Sequence, residues 1–183
     1  MKELDEILSK ATAAVGELYF QFPIDGGSPI YRERVYCYEL YHQMRTLWPE
    51  ECDFTLNGEV DKQSHPILRK LGITHAIPDF LVHTPGSMKG NHAIIEVKSE
   101  NAARGGITED LAKLARFTVD VGYARAIYLF YGEPDLRLVR SIAASMDHLP
   151  PIELWVHANY GDAAKRIEVL QGKPKAPIAR AQG

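Results

Sequence analysis

Ile77-Pro78-Asp79-Phe80-Leu81-Val82-His83, then Thr84-Pro85-Gly86-Ser87-Met88-Lys89-Gly90-Asn91, then His92-Ala93-Ile94-Ile95-Glu96-Val97-Lys98-Ser99: residues 77–99 decide how this chain is read. Two β-rich runs flank a loop of Pro, Gly and Asn, the pattern of a hairpin whose connection spans residues 84–91. On the second strand Glu96 and Lys98 lie two apart and project from one face, while Ile95 and Val97 point the other way into apolar packing. Setting His83 opposite His92 brings Asp79 opposite Glu96. Directly opposed residues share a face with Cβ atoms roughly 5 Å apart. A slip of one residue would send Asp79 to the opposite face, so the register is itself an expectation.

Charges that interrupt an apolar strand are expensive unless something pairs with them. Two carboxylates at that spacing do not both ionise without a cation. A hard divalent ion such as Mg²⁺ resolves the conflict, because it is held by one or two carboxylates, waters and phosphate oxygens. The Lys98 ammonium beside it would hold or activate a water, or offset charge in a phosphorane-like transition state. Those are the parts that phosphodiester hydrolysis needs. The plainer alternative for Asp79, Glu96 and Lys98 is a salt-bridge cluster on a sheet.

Outward from the hairpin the pattern alternates. Leu4, Ile7, Leu8, Ala11, Ala14, Val15 and Leu18 predict an amphipathic helix over 3–20. Ser28-Pro29 suits the cap of a second helix from Ile30 to about Leu47, closed by Pro49. Residues 52–61 read as a strand with Asn57-Gly58 as a turn or bulge, and 64–72 as a short helix. After the hairpin come a helix over 107–121, a buried strand at 124–132, a helix over 135–147, a strand at 151–158 and an edge at 166–170. This is a mixed α/β fold around one central sheet, one domain over 1–172 with a mobile basic tail at 173–183.

Composition limits the function classes. The 183 residues are 45% hydrophobic and 25% charged, ordinary globular values that exclude collagen, coiled coil and full-length disorder. No apolar run reaches the ~20 residues of a membrane span. MKELDEILSK has no signal-peptide core, and two cysteines, Cys37 and Cys52, make no disulfide framework. A cytoplasmic protein with free thiols is expected. The net charge of −3 does not announce a nucleic-acid binder. It hides an asymmetry: residues 1–61 hold 5 Lys and Arg against 12 Asp and Glu, a net of −7, and residues 62–183 hold 16 against 12, a net of +4. Among seven histidines no HxH or HxxxH spacing occurs, which argues against zinc, and no phosphate loop, dinucleotide fingerprint or nucleophile elbow is present.

Pro78-Asp79 followed by Glu96-Val97-Lys98 resembles the PD-(D/E)xK nuclease superfamily, which includes restriction enzymes and junction resolvases. The resemblance covers residues 30–131 and implies an αβββαβ restriction-endonuclease-like core, a central mixed sheet flanked by helices. It implies Asp79 and Glu96 as metal ligands, Lys98 as the catalytic lysine, and Mg²⁺ as cofactor with Mn²⁺ as a substitute. Many members add an acid from the first core helix. Of the two candidates, Glu39 sits in the most apolar stretch and is preferred as the third metal ligand, with a hydrogen bond to a tyrosine or His42 as its alternative. Glu33, between Arg32 and Arg34, reads as solvated. Lys113 on the following helix is the positional match for a basic residue facing the site, and Arg104 before Gly105-Gly106 for a phosphate contact. A solvated helix face and an ordinary loop are the alternatives. Glu59 and Asp61 form a further acidic pair that would extend the metal site or end an exposed strand. His83 and His92 bracket the hairpin loop, where a loop-end hydrogen bond outweighs a phosphate contact. Tyr31, Tyr36, Tyr38 and Tyr41 read as core packing in preference to base stacking.

The expected function is a metal-dependent endonuclease acting on DNA. The alternative is a catalytically silent nucleic-acid-binding or assembly module on the same fold. An enzyme for small molecules on an unrelated α/β fold is a third option, and would need a closed pocket. A homodimer would suit double-strand cleavage but leaves no signature in the sequence.

Overall fold

A computed structural model describes residues 1, 3–59, 70 and 77–173. Three helices precede the sheet: α1 (Leu4–Ala13), α2 (Glu17–Phe20) and α3 (Glu33–Thr46). Then come β1 (Thr55–Gly58), β2 (Phe80–His83), β3 (Asn91–Ser99), α4 (Arg104–Val119), β4 (Arg125–Tyr131), α5 (Leu136–Ser145), β5 (Ile152–His157) and β6 (Lys165–Leu170). The six strands form one mixed sheet in chain order, β1 to β6. The pairs β3–β4 and β4–β5 are parallel, each bridged by a helix, and the outer pairs are antiparallel.

Helices cover both faces of the sheet, which explains why β4 reads as a continuous apolar run. On one face α1 and α3 bring Leu4, Leu8, Tyr36, Leu40 and Met44 onto Ile95, Val97, Ile127 and Leu129. On the other, α4 and α5 bring Leu111, Leu114, Phe117 and Ile142 onto Ile94, Tyr128 and Phe130. Alternate residues of β3 and β4 therefore serve opposite cores.

Several expectations need adjusting. The helix expected over 3–20 breaks after Ala13, and α2 restarts behind an extended Gly16. Glycine there lowers the cost of leaving the helix. Ser28-Pro29 does not cap α3. Ile30 pairs with Phe22 in an isolated bridge, and the helix begins only at Glu33. Asn57-Gly58 belongs to β1 and does not form a turn. Residues 60–69 and 71–76 lie outside the described residues, and with them Asp61 and most of the helix expected over 64–72. So does the tail from 174 onward. Lys173 bridges Asp147 and donates its N–H to the Met146 carbonyl at 3.1 Å. Cys37 and Cys52 are free thiols. Among the described residues no helix is long and apolar enough to cross a membrane.

The hairpin register is the expected one over most of its length: Phe80 faces Ile95, Leu81 faces Ile94 and Val82 faces Ala93. Extended by one residue, it sets Asp79 across from Glu96. At the loop end it shifts, and His83 faces Asn91 where His92 was expected. At this end the two strands cross closely. A Cβ on Gly90 would stand 2.5 Å from Thr84 Cβ, so only glycine permits this close crossing, which the Thr84 N–H seals by donating to the Gly90 carbonyl at 2.9 Å. Asn91 is held from the far side, its side-chain amide donating to the Val121 carbonyl at 2.9 Å.

Candidate active site

The site gathers at the end of the hairpin remote from its loop. Asp79 precedes β2 and is half-buried. Its Oδ2 accepts the Val97 N–H at 2.7 Å, a donor with no partner on β2 because the β2–β3 ladder ends at Phe80–Ile95. The Asp79 carbonyl accepts the N–H of Glu59 at 3.0 Å, so β1 fixes its backbone from the other side. Burial lifts the Asp79 carboxyl to about 6, against the pull of the Val97 N–H and the Lys113 charge.

Glu96 is 2% exposed and its Oε2 accepts from Lys113 Nζ at 2.8 Å. Its Oε1 is buried with no hydrogen-bond partner. Burial, then the charge of Asp79, push its pKa well above the carboxylate range. Lys98, two residues on, bridges two acids: Asp110 Oδ2 at 3.0 Å and Glu33 Oε2 at 3.2 Å. Burial opposes its charge, but Asp110 and Glu33 outweigh burial and lift its pKa above the ordinary lysine value. The ammonium therefore persists at neutral pH. Lys113 also approaches Asp110 at 3.6 Å and the Ile77 carbonyl at 3.5 Å.

The sequence expectations fare unequally against this geometry. Glu96, Lys98 and Lys113 come together with Asp79, and Lys113 is a partner of Glu96, not a solvated side chain. The helix acid that reaches the lysine is Glu33, read from sequence as solvated. It also lies within 3.4 Å of the Ser99 N–H. Glu39 instead accepts from Gln43 on its own helix at 2.7 Å. Glu59 pairs with Arg34 at 3.1 Å beside the Asp79 backbone. Arg104 is exposed at the first turn of α4. His83 bonds Asn57 at 3.0 Å and His92 packs on Phe54 with centroids 4.7 Å apart, so both take structural roles.

Asp110 is the residue sequence reasoning missed. It is 6% exposed, contacts both lysines, and accepts a hydrogen bond from the Tyr128 hydroxyl at 3.0 Å. A signal existed: it follows Ile107 by three residues and precedes Leu114 by four, which places an acid on the apolar stripe of α4.

The cluster thus sets four carboxylates, Glu33, Asp79, Glu96 and Asp110, against two ammonium groups. Among the described residues no set of three or more His, Cys, Asp or Glu side chains is gathered to hold a metal ion unaided. Mg²⁺ asks for less, one or two carboxylates with waters and phosphate oxygens completing its shell. Asp79 and Glu96, whose Oε1 is unpartnered, are the carboxylates that would supply it. Comparison with protein-family models, with curated proteins and with solved structures returned no match to this chain.

Proposed function

We propose that this chain is a metal-dependent nuclease of the PD-(D/E)xK kind, hydrolysing phosphodiester bonds in DNA with Mg²⁺, or Mn²⁺ in its place. Among the described elements the order α3-β1-β2-β3-α4-β4 supports the reading, since it is compatible with the αβββαβ succession of that superfamily's core. The observation that carries it is the buried Glu96 Oε1, left without a donor inside an acid-rich cluster. An unsatisfied buried carboxylate oxygen is costly, and a cation is the partner it lacks. A nuclease working in a reduced cytoplasm belongs to the same proposal.

Asp79 and Glu96 would hold the ion, which when bound polarises phosphate oxygens and lowers the pKa of its water. The chain's own residues divide the remaining work. Val97 N–H and the Glu59 N–H fix Asp79 through side chain and backbone. Lys113 orients Glu96. Lys98 stays an ammonium, so it donates hydrogen bonds to water or to a phosphate oxygen and takes no proton. Glu33 and Asp110 grip that ammonium from two sides.

The rival reading, a silent nucleic-acid-binding or assembly module, is favoured by one observation. Both lysines already have carboxylate partners, so the cluster is partly self-neutralised. Cleavage decides between them. Plasmid, single-stranded DNA and RNA are incubated with the protein, with and without Mg²⁺ or Mn²⁺. Metal-dependent cutting is expected, with Asp79→Ala, Glu96→Ala and Lys98→Ala each losing at least about 10³-fold, and the Asp79/Glu96 double variant little worse than either single one. If wild type cuts nothing, or Asp79→Ala cuts as well as wild type, the module reading replaces the nuclease.

A further inference from the structure

The tyrosines of α3 divide in a way the sequence does not suggest. Tyr36 is fully buried in the core, where it stacks on Tyr131 at 4.0 Å. Tyr38 is 59% exposed. It stands on the wall of a groove of about 290 Å³ that also takes in Tyr41, Asn57, Gly58, Phe80 and the candidate ligand Asp79. Tyr41 lies nearly parallel to Phe80, with planes 15° and centroids 6.3 Å apart, and its hydroxyl donates to the Leu56 carbonyl at 3.3 Å. Tyr41 is thus tied to the sheet, while the Tyr38 ring is open to solvent. Gly58 adds no side chain to the groove: a Cβ there would meet Tyr41 at 3.5 Å, the Asp79 carbonyl oxygen at 3.7 Å and Phe80 at 3.8 Å, ordinary van der Waals contact, so a larger side chain would fill the space that remains.

From this we infer that the groove is a stacking pocket for one unpaired nucleobase of the strand being cut. The substrate is therefore single-stranded DNA, or a duplex opened at the scissile step. The inference rests on reading Asp79 and Glu96 as the phosphate end of the site. Its support is independent of theirs: size, aromatic walls and position. The volume lies at the low end for ligand pockets, suited to a single ring system. Every base offers a π-face, so stacking needs no sequence match. Asp79 lines the groove and belongs to the carboxylate cluster, so the groove adjoins the proposed phosphate end of the site. A paired base cannot enter, because its face is covered by its neighbours in the helix.

Fluorescence anisotropy in EDTA, with a single strand and the matching duplex, tests this through binding alone. Tyr38→Ala is expected to weaken single-strand binding about 5- to 100-fold, the range of one lost base–aromatic stack, and to leave duplex binding within about twofold. Tyr38→Phe is expected to bind like wild type. Gly58→Val, which fills the remaining space, is expected to reproduce the Tyr38→Ala loss. A 2-aminopurine strand should lose fluorescence on binding wild type and not on binding Tyr38→Ala. Equal affinities of wild type and Tyr38→Ala for the single strand overturn the pocket, as does an equal loss on strand and duplex. The nuclease reading is judged separately by wild-type cleavage with Mg²⁺. Cutting without Tyr38-dependent binding sinks the pocket alone, and Tyr38-dependent binding without cutting sinks the nuclease alone.

Discussion

Two acids six residues apart on one helix have exchanged the places that sequence gives them. Burial was the criterion that favoured Glu39, since its neighbours Leu40 and Tyr41 are apolar, and Glu33 lies between two arginines. The criterion fails because a helix rotates about 100° per residue, so the neighbours in sequence do not share a residue's face. Glu33 is on the turn that meets the end of β3, where Lys98 and Ser99 emerge. A positioning role for Glu33 follows if Lys98 must be aimed. Glu33→Gln keeps the shape and removes the charge, and a loss of about 10- to 100-fold in kcat with little change in KM is expected, the usual cost of removing a supporting partner. Glu39→Gln should stay within about twofold. Comparable losses in both variants would return Glu39 to the site. At this scale the sequence was legible where period-2 alternation governs, in Asp79, Glu96 and Lys98. It was illegible where an approach in space governs, in Glu33 and Asp110. Asp110 alone left a trace, as a charge on an apolar stripe.

Elements were easier to find than to delimit. All four strands of the parallel and hairpin core stand where alternation or an apolar run placed them, because both-face burial leaves a compositional mark. Helix starts were less readable, since capping depends on which polar side chain turns back onto the backbone. Ser28 offered the right chemistry for α3 and is not used, whereas Asp135 is. Its Oδ1 accepts the N–H groups of Arg137 at 2.9 Å and Leu138 at 3.1 Å, which would otherwise be unpaired at the start of α5. Asp135→Ala is expected to lower stability by about 1 kcal/mol, and Asp135→Ser to restore most of it. Urea unfolding would check this, and an unchanged midpoint for the alanine variant would show that α5 starts without the cap. Val139, Ile142 and Ala143 of α5 are buried against the sheet. They share one core cluster with Tyr128, the hydroxyl donor to Asp110.

At the scale of the whole molecule, buried titratable groups on the two faces of the sheet respond to pH in opposite directions. His157, at the end of β5, is fully buried against Tyr36, whose hydroxyl lies 2.8 Å from Nδ1, with Phe20 edge-on at 4.9 Å. Burial depresses its pKa to about 4, outweighing the Asn159 carbonyl and the Asp162 carboxylate that favour the cation. The unfolded chain, with an ordinary histidine near 6.5, takes up the proton first as pH falls. Above about 6.5 His157 is neutral in both states and costs nothing. Between 6.5 and 4 the unfolded state gains, and below 4 the penalty levels off at about 3 kcal/mol. Asp79, raised to about 6, works the other way: the folded state keeps a proton that the unfolded state has released, so stability falls as pH rises from about 4 to 6. A wild-type pH profile superimposes the two and would mislead. The difference between wild type and His157→Gln removes the Asp79 contribution, which both proteins share. That difference is expected to be steady above pH 6.5. It should shift in favour of the variant by about 3 kcal/mol by pH 4, read from urea unfolding at each pH. A difference that stays level across the range would mean that His157 can take its proton inside the core, and that the Tyr36 contact holds a cation as readily as a neutral ring.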